Sequence, residues 1–198
     1  MRRLISLLAL SVLAACGITV TTDVIPRSSA ELRGESLLRA LDEEFEVLGA
    51  ALVAKQEASS DLPVDPTIDE YFAAANRIAA TYGQALDEAD AALERLRVLV
   101  DESIHNGSLA ELGIDGAQLT ELIEEFSLWL EAEKLQNDPD ICAEHISRER
   151  GDIRFAEAIS PAYAQCMAQF LSNPLIERGS FQAAVRIREL SQELMSSW

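Results

Sequence analysis

The chain has 198 residues, with 16 Lys and Arg against 34 Asp and Glu, for a formal charge of −18. So strong an acidic excess argues against a nucleic-acid partner, whose phosphates need basic side chains, and against lying flat on anionic lipid headgroups. The length suits one domain or two small ones and allows a sizeable core.

Residues 1–15 open with Arg2 and Arg3 and continue as an apolar run, Leu4 to Ala15, that leads into Leu13-Ala14-Ala15-Cys16. A membrane-spanning helix needs ~20 apolar residues. This run is shorter, and Thr19, Thr21, Thr22 and Asp23 close it. Its size and charge order are those of a secretory signal peptide. The tetrapeptide Leu13-Ala14-Ala15-Cys16 resembles the lipobox of bacterial lipoproteins, over residues 1–17 only. The resemblance implies that cleavage falls before Cys16, that its sulfur receives diacylglycerol and that its new amine is acylated. Cys16 is then the lipid attachment site. An aspartate after that cysteine favours inner-membrane retention; Gly17 stands there, which implies the outer membrane, facing the periplasm. Several acyl chains, each contributing ~0.8 kcal/mol per buried methylene, anchor where one would be marginal. An ordinary signal peptide with an incidental cysteine is the alternative.

Removal of residues 1–15 takes away Arg2 and Arg3, leaving 14 basic against 34 acidic residues and a formal charge of −20. Residues 16–27 form the lipidated tether, with a reach of ~35 Å if extended. The rest divides by charge. The stretch up to residue 138 has a net charge of −18, and residues 139–198 carry only −2. This split suggests an acidic long-helix region, 28–138, and a shorter-helix C-terminal region, 139–198.

The expected fold class is all-α: a long antiparallel helical hairpin followed by shorter C-terminal helices, about six helices in the mature chain. Ser28 with Glu31, and Thr67 with Glu70, match the capping box. Asp65-Pro66, Asp138-Pro139, Ser160-Pro161 and Asn173-Pro174 pair a capping side chain with proline, the N-cap and N1 pattern. From Ser28 to Ala58, Leu38, Leu41, Phe45, Leu48 and Leu52 step by three and four, which places them on one helical face. From Thr67 to Ile104 a second stripe runs through Ile68, Tyr71, Ala75, Ile78, Tyr82, Ala85, Ala89, Leu93, Leu96 and Val100. The turn-prone segment 59–64 between them predicts the hairpin. Asn106-Gly107 tolerates the left-handed backbone that ends a helix. A third long helix is expected over 115–135, with Leu119, Leu122, Ile123, Phe126, Trp129 and Leu130 inward. Shorter helices are expected over 139–150, 161–172 and 174–196, the last burying Ile176, Phe181, Val185, Leu190 and Leu194.

Cys142 and Cys166 are an even pair in a chain bound for an oxidising compartment, which makes them a disulfide candidate. A hairpin turning near Gly151 would bring them level. The rival is a metal site, since Cys142 and His145 have Cys-x-x-His spacing. Zinc takes four ligands, and the other histidine, His105, falls in a distant turn.

Catalytic signatures are absent from the sequence: there is no Gly-x-Ser-x-Gly, His-Glu-x-x-His or Ser-x-x-Lys. His105 fits the last turn of a helix, where a cation is favoured, and His145 fits a partly buried core position. Asp42-Glu43-Glu44 and Glu124-Glu125 read as solvated helix faces. No catalytic residue, cofactor site or metal is assigned. The functional expectation is a non-enzymatic, membrane-anchored periplasmic lipoprotein whose helices bind or position an envelope protein partner. The alternative is a lipoprotein that binds a small molecule or envelope polymer among its C-terminal helices.

Overall fold

The computed structural model describes residues 29–59, 63–146 and 151–196. The signal peptide, Cys16, the tether and the Ser28–Glu31 capping box lie outside them. The fold is all-α, with no strand among the described residues.

Four helices set the architecture: α1 (Ser29–Ser59), α2 (Ile68–His105), α4 (Gly116–Gln136) and α8 (Ala184–Ser196). Shorter pieces join them: α3 (Ser108–Glu111), a 3₁₀ turn (Ala143–His145), α5 (Phe155–Ala158), α6 (Pro161–Leu171), α7 (Pro174–Ile176) and a π-helical stretch (Glu177–Ala183). α2 has 38 residues, about 57 Å at 1.5 Å per residue.

Each long helix runs antiparallel to the one before it, as the cross-helix pairs show. Glu44 of α1 meets Arg95 of α2 through two bonds of 2.7 and 2.8 Å, and Lys55, further along α1, reaches the level of Tyr82. α4 returns along α2, with Ser127 at Arg97 and Glu133 at Tyr82. α8 returns along α4, where Arg186 holds Glu121.

One apolar core joins all four helices. It includes Leu41 and Leu48 of α1, Tyr82, Leu86, Leu93 and Leu96 of α2, the whole expected α4 stripe, and Ile187, Leu190 and Leu194 of α8. Leu38, Phe45 and Leu52 pack half-buried against it, with the Phe45 and Phe126 rings 6.3 Å apart. Among the described residues no buried side-chain nitrogen or oxygen lacks a hydrogen-bond partner.

A second cluster sits at the start of α2. Ile68, Phe72 and Ile146 are buried there, with Tyr71, Ile153, Phe155, Ala158 and Tyr163 against them. Packing therefore crosses the charge boundary at 138/139: residues 183–194 belong to the long-helix core, whereas residues 143–146 and 153–163 cover the N-terminal end of α2.

Helix ends follow local chemistry. Thr67 and Glu70 form a reciprocal capping box on α2, and hydrogen bonds to Thr67 hold the Glu70 carboxyl below its ordinary value. Ser160 and Asn173 cap α6 and α7, with proline next in line. Gly107, at φ 77°, turns the chain out of α2.

Several expectations need correction. Asp65-Pro66 does not start a helix; α2 begins two residues later. Pro66 offers its carbonyl to Phe155 N–H at 2.8 Å, and Ile68 N–H donates to the Ile153 carbonyl at 3.0 Å. Part of the unpaired donor set at the N-terminus of α2 is thus met by backbone from residues 151–153. No three-turn helix follows Asp138-Pro139. The Asp138 carboxylate accepts from Asp140 N–H at 2.9 Å, an Asx turn that competes with helix. Cys142 then takes a left-handed backbone, φ 61°, which a right-handed helix cannot contain. Phe181 and Val185 are exposed, not core.

Candidate functional site

The described part of the chain brings together three sets of polar or reactive side chains. The first is the cysteine corner. Cys142 and Cys166 form a disulfide with a Cα–Cα distance of 5.9 Å. Cys142 is buried at the N-cap of the 3₁₀ turn, and Cys166 is half-buried on α6. The hairpin that brings them level is irregular: Asx turn, 3₁₀ turn, residues 147–150 outside the description, then α5 and α6. A second tie crosses the same seam, where Ser160 Oγ donates to the His145 carbonyl at 2.9 Å.

His145 is exposed, contrary to the core position expected for it. Its Nε2 lies 3.5 Å from Glu144 Oε1. One donor atom each from Glu144, His145 and Cys166 falls within 4.8 Å of the others. With the cysteines joined, the sulfurs are not thiolates, and the thiolate is the form that ligates metal. His105 ends α2 as expected, its Nδ1 2.8 Å from the Asp101 carbonyl.

The second set lies inside the long-helix core. Glu133 is 3% exposed and accepts from Tyr82 Oη at 2.9 Å and Lys55 Nζ at 2.6 Å. Burial, reinforced by the Glu133 carboxylate, pushes the Tyr82 phenol far above its ordinary range. The helical periodicity does mark Glu133: it falls three residues after Leu130 and four after Trp129, in line with the apolar stripe of α4, so the signal was a charged residue at a core position. The acidic run 42–44 is only partly solvated: Glu44 ties α1 to α2 through Arg95, while burial and the neighbouring Glu46 and Glu43 raise the Asp42 carboxyl.

The third is an exposed apolar dish. Phe181, Gln182, Val185, Arg186 and Glu189 line an open hollow of about 420 Å³. All five come from one helical face, so the hollow is a shallow surface feature. The inward face of the same segment is built on small residues. A Cβ at Gly179 would come within 2.4 Å of the Leu128 carbonyl and Ala132 Cβ. Ligand sites usually enclose most of their ligand, which this dish cannot do.

No helix among the described residues is long and apolar enough to cross a membrane. No protein-family model, curated protein or solved structure matches the chain.

Proposed function

We propose that this chain is a lipid-anchored helical module of the bacterial envelope, held at the outer membrane through Cys16 and serving to bind or position a protein partner in the periplasm. The observation that carries the reading is Leu13-Ala14-Ala15-Cys16 behind a basic and apolar leader. The helical body supports it in kind. Its long helices are tied to one another by core packing and by the Glu44–Arg95, Lys55–Glu133 and Arg186–Glu121 pairs. Such a body presents a firm acidic surface. The shallowness of the Phe181–Val185 dish favours a protein partner over a small molecule, which needs an enclosing pocket.

Crosslinking in intact cells, followed by purification of the lipidated chain, tests the proposal. One protein recovered in stoichiometric amount, from wild type but not from a soluble Cys16→Ser chain, supports it. A bound metabolite or glycan strand in place of a protein would shift the reading to ligand binding.

A further inference from the structure

We propose that reduction of the Cys142–Cys166 disulfide turns the cysteine corner into a zinc site, with Cys142, Cys166 and His145 as ligands and Glu144 as the fourth. The donor types are those zinc accepts: two thiolates, an imidazole and a carboxylate. They already share one place. Glu144, His145 and Cys166 present donor atoms within 4.8 Å of one another, and Cys142 is bonded to Cys166. Ligands around tetrahedral zinc stand about 3.3–3.8 Å apart at the bond lengths it uses. Glu144 and His145 are exposed and free to rotate toward the sulfurs, and the Cys142 side chain gains its own freedom when its bond to Cys166 is reduced.

The backbone presets the arrangement. Cys142 and His145 bracket a 3₁₀ turn closed by His145 N–H to the Cys142 carbonyl at 3.0 Å. Cys142 stands just before the turn, so its sulfur joins the corner through its bond to Cys166 and not through the register of the turn. Cys142 holds the left-handed backbone that starts this turn. The corner does not rely on the sulfur–sulfur bond alone. Ser160, the N-cap of α6, bonds the His145 carbonyl. Ile146, next to His145, is buried with Ile68 and Phe72, and Tyr163 of α6 packs on the same cluster. These ties still hold the 3₁₀ turn beside the helix bearing Cys166 after reduction, more loosely than the disulfide does, and zinc would restore the lost crosslink.

The chemistry balances with a dithiol reductant. The dithiol gives two electrons and two protons to the Cys142–Cys166 bond, yielding two thiols and its own disulfide. Zinc then displaces both thiol protons to water as it binds the thiolates. Disulfide and zinc exclude each other, since both require the same sulfurs.

Zinc titration of the full chain tests this, with Cys16→Ser in every sample so that Cys142 and Cys166 are the only thiols. One sample is oxidised. The other is reduced with a phosphine and desalted without oxygen. Competition against a chromogenic zinc chelator reads affinity, and cobalt substitution reads thiolate ligation through its charge-transfer band. The expected result is one zinc per reduced chain and none per oxidised chain. His145→Ala should weaken binding at least about tenfold, the low end of the loss seen even for groups that only support a ligand, and Glu144→Gln should weaken it further. His145 is exposed, so the variant tests ligation and not folding. Absence of zinc from the reduced chain overturns the proposal, whatever its helicity. So does binding that is equally tight in oxidised chain or unaffected by His145→Ala.

Discussion

Tyr82 of α2 donates its phenolic O–H to Glu133 of α4 across 2.9 Å, within the apolar core of the long helices. Lys55 of α1 reaches the same carboxylate oxygen. One acidic group thereby joins three helices. A buried carboxylate is costly unless its lone pairs are used, and here the helices supply both a hydroxyl and a cation. Glu133→Ala should cost about 3 kcal/mol, through the lost packing and the stranded Tyr82 hydroxyl. Tyr82→Phe alone should cost about 1 kcal/mol. A double-mutant cycle on denaturant midpoints should show coupling on the order of 1 kcal/mol; strictly additive losses would mean the bond contributes nothing.

Alkali should destabilise the fold for a related reason. Burial raises the phenols of Tyr71, Tyr82 and Tyr163 above their ordinary value near 10. The folded state therefore holds protons that the unfolded state releases, and the stability this provides is complete below about pH 10 and falls as pH rises beyond it. Phenolate absorbance should appear together with loss of helicity. Titration of all three phenols near 10, with helicity intact, would contradict the burial of these rings.

Leu48 is fully buried in the seam between α1 and α2. Leu48→Asp places a charge there with no partner, a change that costs ~4 kcal/mol or more. For a chain of this size the thermal midpoint should drop by about 8–16 °C. An unchanged midpoint would mean that this face of α1 does not pack as described.

The disulfide should protect one end of the molecule and not the other. Cys142 and Cys166 are 24 residues apart, and closing a loop of that size removes ~3 kcal/mol of freedom from the unfolded chain. The segments it staples are short and rest on the small second cluster. In zinc-free buffer, reduction should raise hydrogen exchange in residues 139–171 and at the start of α2, while α8 keeps its protection through Ile187, Leu190 and Leu194. Equal loss of protection in α8 would show that the two clusters open together.

The long helices were legible in the sequence because their apolar residues repeat regularly and their ends carry strong signals. Thr67 with Glu70, Ser160-Pro161 and Asn106-Gly107 each act locally. The stretch 139–146 was not legible, because its shape depends on an Asx turn at Asp138 and a bond between Cys142 and a residue 24 positions away. The inward face of the last helical segment is hidden in the sequence for a different reason. Its buried positions, 176, 179, 183, 187, 190 and 194, step by three and four. Two of them are Gly179 and Ala183, small because α4 passes so close. Bulk alone points to Phe181 and Val185, which face outward. The cysteine corner was half legible: spacing offered the disulfide and the Cys142–His145 pair, but Glu144 entered only with the fold.

The anchor at Cys16 is the central claim, and mass spectrometry of the mature N-terminal peptide tests it most directly. Protein extracted from envelopes should begin at Cys16, carrying diacylglycerol on sulfur and an acyl group on the amine. Cys16→Ser should abolish that peptide and leave full-length precursor or soluble protein. A mature chain that begins at another residue, or at an unmodified Cys16, would contradict the account.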